Sequence, residues 1–332
     1  IKEVKYTINK KARRIVSMNI TIAGVGAMGS RFALMLHRAG HKVTLVDGWK
    51  EHVTAIQKDG LQANLNGEEV VAKLPIYLQS EVDPTLSNDL IILFTKAMQL
   101  EAMLADIQPL IHDNTAVLCL LNGIGHEEVI EKYVPRNQIM IGNTMWTAGM
   151  EEPGRAKLFG NGSIALKNLV ADPKAEQAAY KVIETLNSAG LNAQYTENIL
   201  YAIYKKACVN GTMNSLCTLL LANMADFGDT TPAHNIVVKI VSEFAEVAKH
   251  ENVDLNVTET VDYIEKNCYN RDTIGLHYPS MYQDLNEHNR LTKIDYINGA
   301  IARKGQQYGV DTPYCALITE LVHCKEQLLC AK

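Results

Sequence analysis

The stretch that decides the fold is Asn19-Ile20-Thr21-Ile22-Ala23-Gly24-Val25-Gly26-Ala27-Met28-Gly29. Its apolar start reads as a strand, and Met28, Phe32, Met35, Leu36 and Ala39 then recur at helical spacing until Gly40 stops the helix. Strand, tight turn and helix therefore follow one another without a linker. Next, Lys42-Val43-Thr44-Leu45-Val46 forms a second strand pattern that ends in Asp47. The whole has the length of a strand–helix–strand unit.

Three glycines in this register each have a mechanical use: a tight turn, close approach of backbone to a pyrophosphate, and close packing of helix on strand. The spacing predicts that Gly24, Gly26, Ala27, Met28 and Gly29 cradle a dinucleotide at the helix N-terminus. Asp47 stands where a carboxylate accepts from ribose hydroxyls and repels a 2′-phosphate, which favours NAD. NADP is the alternative, with Lys50 approaching the extra phosphate.

Two uninterrupted apolar runs, Leu90–Phe94 and Ala116–Leu121, read as parallel strands covered on both faces. They end in Thr95-Lys96 and Asn122-Gly123, at the strand ends outside which the crevice of an open α/β sheet lies. Short strands with glycine-rich loops are expected near Gln138–Gly142 and Arg155–Leu166, as a mixed sheet edge, and a helix from Pro173 to about Ser188. From Ile199 to Leu329 nearly everything reads as helix, with interruptions near Asp226–Pro232 and Asn270–Pro279. The expected division is an α/β dinucleotide-binding domain over residues 18–197 and an all-α domain over 198–332.

Composition bounds the rest. Apolar residues make up 47% and charged residues 21% of the 332 residues, and no run approaches a membrane span. The formal charge is −5, yet residues 1–17 hold six cations against Glu3, so the remainder carries −10, a body that repels nucleic acid. The basic stretch 1–17 reads as a non-native or disordered extension, with a basic arm as the alternative. Seven cysteines without a CxxC pair favour a reducing, cytoplasmic setting and no disulfide framework, and no cluster has metal-ligand spacing. A homodimer is left open.

The segment from Lys206 to Asn214 places Lys206, Asn210 and Asn214 four residues apart, on one face of a helix that is otherwise apolar. This polar stripe is expected to line a cleft. Cys208 beside it reads as an inert buried thiol, and Trp146 as either a pocket wall or a core residue.

Taken in order, the GVGAMGS opening, Lys96, the LNGIG at Leu121–Gly125, the Lys206/Asn210/Asn214 stripe, Ser280-Met281-Tyr282-Gln283-Asp284 and the IDYING at Ile294–Gly299 resemble the ketopantoate reductases over about residues 18–330. That resemblance implies a Rossmann domain followed by a helical domain of the 6-phosphogluconate dehydrogenase C-terminal type. It also implies Lys206 as general acid and Asn122 as the residue orienting cofactor and lysine. Asn210, Asn214 and Ser280 would hold a 2-keto or 2-hydroxy acid, and Lys96 would lie near the cofactor. His277 and Lys293 are added as candidate substrate contacts, because His277 lies three residues before Ser280 and Lys293 stands where the family usually has a glutamate. Within the family, NAD-dependent D-2-hydroxyacid or D-mandelate dehydrogenases accept C3-branched 2-keto acids, and this is the expected activity. The alternatives are NADPH-dependent ketopantoate reduction, which serves pantothenate biosynthesis, and a catalytically silent dinucleotide sensor.

Overall fold

The computed structural model describes residues 17–331. Apart from Ser17, the basic stretch 1–17 lies outside the described residues. The strands are β1 (Asn19–Ala23), β2 (Lys42–Asp47), β3 (Leu61–Leu65), β4 (Glu68–Ala72), β5 (Ile76–Leu78), β6 (Leu90–Leu93), β7 (Ala116–Cys119), β8 (Ile139–Thr144), β9 (Thr147–Glu152), β10 (Arg155–Phe159), β11 (Ile164–Asn168) and β12 (Ala193–Tyr195). Eight of them form one sheet in the order β12-β11-β8-β7-β6-β1-β2-β5. Neighbours from β8 through β5 pair in parallel, while β11 runs antiparallel to β8 and parallel to β12, so the expected mixed edge is present.

Among the helices of this half, α1 (Ala27–Arg38), α2 (Lys50–Asp59), α3 (Leu100–Ile107), α4 (His126–Ile130) and α5 (Pro173–Ser188) connect or cover the strands. The central strands β1, β6 and β7 are almost wholly buried, which explains their lack of polar–apolar alternation. Because the chain steps from β1 to β2 on one side and returns to β6 on the other, the crevice opens between β1 and β6.

A second sheet, β4-β3-β10-β9, was not anticipated by the sequence pattern. Its β3 and β10 pair in parallel across some ninety residues of chain, and both are five-residue strands in which apolar and polar positions alternate. Arg31 ties α1 to this sheet, donating to the Thr147 and Phe159 carbonyls at 3.1 and 2.7 Å.

The remaining helices are α6 (Ile199–Leu220), α7 (Met224–Gly228), α8 (Ala233–Lys249), α9 (Val257–Cys268), α10 (Ser280–Tyr282), α11 (Asn298–Tyr308) and α12 (Pro313–Leu328). Two corrections to the expected helical pattern follow. A short helix, α7, capped by Asn223 through the Asp226 N–H at 2.8 Å, occupies part of the expected break at Asp226–Pro232. A longer non-α stretch, a π turn at Gln283–Glu287 and a 3₁₀ turn at Ile294–Tyr296, separates α10 from α11.

Helix α6 is the axis of this half. At Gly211 a methyl group would stand 2.6 Å from Phe244 Cζ, so the glycine sets how closely α6 and α8 pack. Fully buried Asn298 locks α11 to α6, donating to the Gly211 carbonyl at 3.0 Å and accepting from Ser215 Oγ at 2.8 Å.

The two halves meet where the turn after β7 docks on the segment before α11. The Ile124 N–H donates to the Tyr296 carbonyl at 2.8 Å, and Gly123, at φ +124°, permits this because a Cβ there would stand 2.5 Å from that oxygen. Lys304 of α11 completes the contact with Glu128 of α4 at 2.8 Å and Glu251 at 2.6 Å.

Candidate functional site

The three fingerprint glycines serve three different needs. Gly24 (φ +94°) lies so close to the end of β6 that a Cβ would stand 2.4 Å from the Thr95 nitrogen. A Cβ on Gly29 would meet the Gly24 carbonyl oxygen at 2.0 Å. At Gly26 the same atom meets nothing within 4 Å, so the backbone there faces open space. The N-terminus of α1 has no side-chain cap and no acidic residue in its first turn, and Ala27 and Met28 are partly exposed beside it. Thr95 Oγ1, across the crevice, is buried without a hydrogen-bond partner. An uncapped helix start, an open glycine and an unsatisfied hydroxyl fit a dinucleotide diphosphate at this place.

Asp47 ends β2 as expected. Its carboxylate accepts from the Val25 N–H at 2.5 Å and the Trp49 N–H at 2.7 Å, so it also holds the turn. His52 was not singled out from sequence. It is fully buried, accepts from the Gly154 N–H at 2.9 Å, and with its other nitrogen donates to the Val25 carbonyl at 3.0 Å. Val25 is thereby held at both its N–H and its carbonyl, a relation no local pattern signals.

Lys206 points from α6 toward the end of β8. Its Nζ donates to Asn143 Oδ1 and to the Thr144 carbonyl, each at 2.9 Å. Burial, and then repulsion by Lys293, brings its pKa down to about 8. The lysine is thus held by Asn143, a partner the sequence did not point to, and among the described residues it makes no hydrogen bond with Asn122. Asn122 is exposed, and among the described residues its carboxamide has no hydrogen-bond partner, although it does sit in the turn after β7 at the crevice. The cause is packing of α6 across β8, which brings residues 143 and 206 together without any shared motif.

Further along the stripe, Asn214 is buried and donates to Ser280 Oγ at 3.4 Å, and Lys293 donates to the same oxygen at 3.1 Å. Lys293 therefore lies with Ser280 and Asn214, its side chain turned to them. Burial holds its pKa below the ordinary lysine value, with Asp284 opposing and Lys96 reinforcing that shift. Lys96, exposed at the end of β6, lies 3.4 Å from Asp284. Asn210 is partly buried and its carboxamide makes no hydrogen bond among the described residues. His277 is exposed in the turn before α10, and its ring has no hydrogen-bond partner there. The structure brings Lys206, Asn214, Ser280, Lys293 and Lys96 into one connected region but gives His277 no tie to it.

Trp146 belongs to the core: it is 8% exposed, donates to the Leu191 carbonyl at 2.9 Å and lies under the Arg31 guanidinium. Burial drives the Cys208 thiol pKa far up, leaving it unreactive. Among the described residues no group of three or more His, Cys, Asp or Glu side chains could hold a metal, and no helix is long and apolar enough to cross a membrane.

With this geometry in hand, comparison with known proteins is informative. Residues 20–170 match the family model of ketopantoate reductase PanE/ApbA, and residues 198–326 match its C-terminal counterpart. A Lactococcus lactis subsp. lactis (strain IL1403) protein named 2-dehydropantoate 2-reductase is 64% identical over 315 residues, 95% of this chain and 100% of that protein. One of the same name from Streptococcus pyogenes serotype M1 is 47% identical over 94% of this chain and 99% of its own length. The solved ternary structure of a D-mandelate dehydrogenase with NADH and anilino(oxo)acetate is 62% identical, with a TM-score of 0.89 over 95% of this chain and 100% of that one. This chain belongs to the ketopantoate reductase family and is an oxidoreductase acting on a CH–OH group.

Proposed function

We propose that the chain reduces a bulky, C3-branched 2-keto acid to the D-2-hydroxy acid with NADH, using Lys206 as general acid. The observation that carries this reading is the state of Lys206, a largely buried ammonium held by two neutral acceptors and with a pKa of about 8. Such a group is mostly protonated near neutrality and gives its proton up more readily than an exposed lysine does. A reduced nicotinamide dinucleotide along Gly24–Gly29 would supply the hydride. As the carbonyl carbon accepts it, negative charge gathers on the oxygen, and Lys206 stabilises that charge and then transfers a proton to it. Two of the three Nζ hydrogens are committed to Asn143 and Thr144, which leaves one for the reacting oxygen.

In this reading Asn122 and Lys96 flank the cofactor, and Asn210, Asn214, Ser280 and Lys293 receive the substrate. Residues 18–197 form the cofactor unit and 198–332 the substrate unit. NADH is favoured by Asp47, whose carboxylate would face a 2′-phosphate, and by the NADH complexes of the D-mandelate dehydrogenase relative. A second reading, ketopantoate reduction with NADPH, is supported by the names of the Lactococcus and Streptococcus relatives.

A matrix of NADH and NADPH against ketopantoate, 2-ketoisocaproate and benzoylformate, followed by loss of nicotinamide absorbance, tests both. The first reading expects NADH to be preferred and at least one of the latter two acids to exceed ketopantoate in kcat/KM. Preference for NADPH with ketopantoate selects the second reading, and no turnover in any cell selects the sensor.

A further inference from the structure

The polar groups around Lys206 have an unusual balance of donors and acceptors. Lys206 comes from α6, Lys293 from the segment before α11, Lys96 from the end of β6 and Asp284 from the π turn, while the partners that β8 and α10 supply to the two inner lysines, Asn143, the Thr144 carbonyl and Ser280, do not titrate, and Tyr282 of α10 stacks on Tyr278. The carboxylate of Asp284 pairs with Lys96 at 3.4 Å. Among the described residues no carboxylate stands within ion-pair distance of Lys293, whose recorded partner is the Ser280 hydroxyl. Ser280 Oγ in turn accepts from both Lys293 and Asn214, so its two lone pairs are engaged and only its own proton remains to be given.

What this corner offers a ligand is therefore donation alone: the Ser280 O–H, the free hydrogens of Lys293 and the third hydrogen of Lys206. Unpaired positive charge with hydrogen donors on one side of a cleft matches a carboxylate. Lys293 is also the charge that repels Lys206. An anion seated on Lys293 cancels that repulsion, because a nearby opposite charge favours an ammonium and a nearby like charge disfavours it.

We infer that Lys293 receives the carboxylate of the 2-oxo acid and that arrival of this charge secures the proton on Lys206, so that substrate binding itself loads the acid. The inference rests on the assignment of Lys206 as general acid. It makes Lys293 a group that touches substrate and also governs its neighbour's protonation.

The test uses the NADH-loaded enzyme and anilino(oxo)acetate, a 2-oxo carboxylate, titrated by calorimetry at pH 8 in two buffers of different ionisation heat, with its methyl ester as the uncharged arm. Near its pKa, Lys206 is about half protonated in the free enzyme. Wild type should therefore take up roughly half a proton per acid bound and essentially none with the ester. Lys293→Met should weaken binding of the acid at least about tenfold, leave the ester unaffected and abolish the uptake, while Lys293→Arg retains both properties. Circular dichroism verifies that each variant is folded. Unchanged acid affinity and proton uptake in folded Lys293→Met would overturn the inference while leaving Lys206 as the acid. Uptake persisting in Lys206→Met would place the proton elsewhere and overturn the coupling too. A Lys206→Met enzyme with wild-type turnover would instead remove the reading on which the inference rests.

Discussion

Two lysines of this chain are enclosed by the fold and end in opposite states. Lys304 is 6% exposed at the junction of the two halves, with Glu128 and Glu251 at 2.8 and 2.6 Å, and Tyr308 donates to Glu251 at 2.9 Å. Burial alone would lower its pKa, but hydrogen bonds to the two glutamates reverse the sign and raise it. Lys206 has neutral acceptors, a second lysine nearby and no carboxylate partner, so burial prevails and the pKa falls to about 8. The first arrangement neutralises its charge with two carboxylates and fastens the halves together. The second leaves a charge and a hydrogen unspent, as chemistry on an incoming molecule requires.

The largest effect that can break this contrast is on turnover. Lys206→Met removes both proton donor and alkoxide-stabilising charge and is expected to lower kcat by at least about 10²-fold with little change in NADH affinity. The same variant should be more stable than wild type by about 1–3 kcal/mol near neutrality, because a group whose folded pKa is depressed penalises folding while it is charged. The sign gives a further check. Wild-type stability should rise with pH between about 8 and about 10.4, where the unfolded chain holds the Lys206 proton more tightly than the fold does, and Lys206→Met should lack that rise. A variant that retains turnover, or melts earlier than wild type, would make Lys206 another structural lysine.

Lys304→Met should do the reverse. Removing it leaves the half-buried Glu251 without a counter-charge, at a cost of about 3 kcal/mol, with kcat per folded molecule nearly unchanged. Burial would raise the Glu251 pKa, but hydrogen bonding with Lys304 holds it below the ordinary value, so its contribution is lost as pH falls through that depressed pKa. The raised pKa of Lys304 means its own contribution is lost as pH rises through the folded value. The deficit of the variant, read from urea midpoints, should therefore be greatest across the middle of the pH range and shrink toward both ends. Glu251→Gln added to Lys304→Met should recover part of it, whereas additive losses would show that the two side chains are not coupled.

How far the sequence discloses these two regions depends on how local their causes are. The β1–α1–β2 unit was legible because its strand, glycines, helix and Asp47 lie within thirty residues, and each position is constrained by its near neighbours. Lys206 and Asn214 were legible as a stripe for the same reason. Asn143 was not, since it meets Lys206 only where α6 crosses β8, and neither were Lys304 and Glu251, ordinary surface residue types paired by tertiary packing. The second sheet escaped because β3 finds its parallel partner β10 far along the chain, and the alternation within each short strand does not say which strand it pairs with. The orientation of Lys293 depended on a long irregular segment that periodicity does not describe.

Asp47→Arg tests whether the dinucleotide crevice belongs with the unspent groups or the satisfied ones. Its carboxylate already binds the Val25 and Trp49 N–H groups, so the substitution should loosen the turn and lower kcat/KM with NADH. Against that background the NADPH/NADH ratio of kcat/KM should rise more than about tenfold, as repulsion of a phosphate gives way to bidentate attraction. If the ratio is unmoved, Asp47 is a turn residue alone and cofactor choice lies elsewhere.

The smallest expected effect lies within the glycine loop and separates the same two kinds of region at atomic scale. A methyl group on Gly29 would stand 2.0 Å from the Gly24 carbonyl, whereas on Gly26 it meets no atom within 4 Å, and Gly26 at φ −59° lies outside the left-handed region that favours glycine. Gly29→Ala should therefore disrupt folding, because backbone must move to admit it. Gly26→Ala should fold with stability within about 0.5 kcal/mol of wild type. Its methyl group would nevertheless occupy the space through which a diphosphate approaches the start of α1, so NADH affinity, read by fluorescence titration, should fall several-fold while kcat at saturating cofactor stays close to wild type. Unchanged affinity would mean that the dinucleotide does not pass over Gly26. Destabilisation comparable to that of Gly29→Ala would mean that the loop is closed packing throughout, with no open cradle for a ligand.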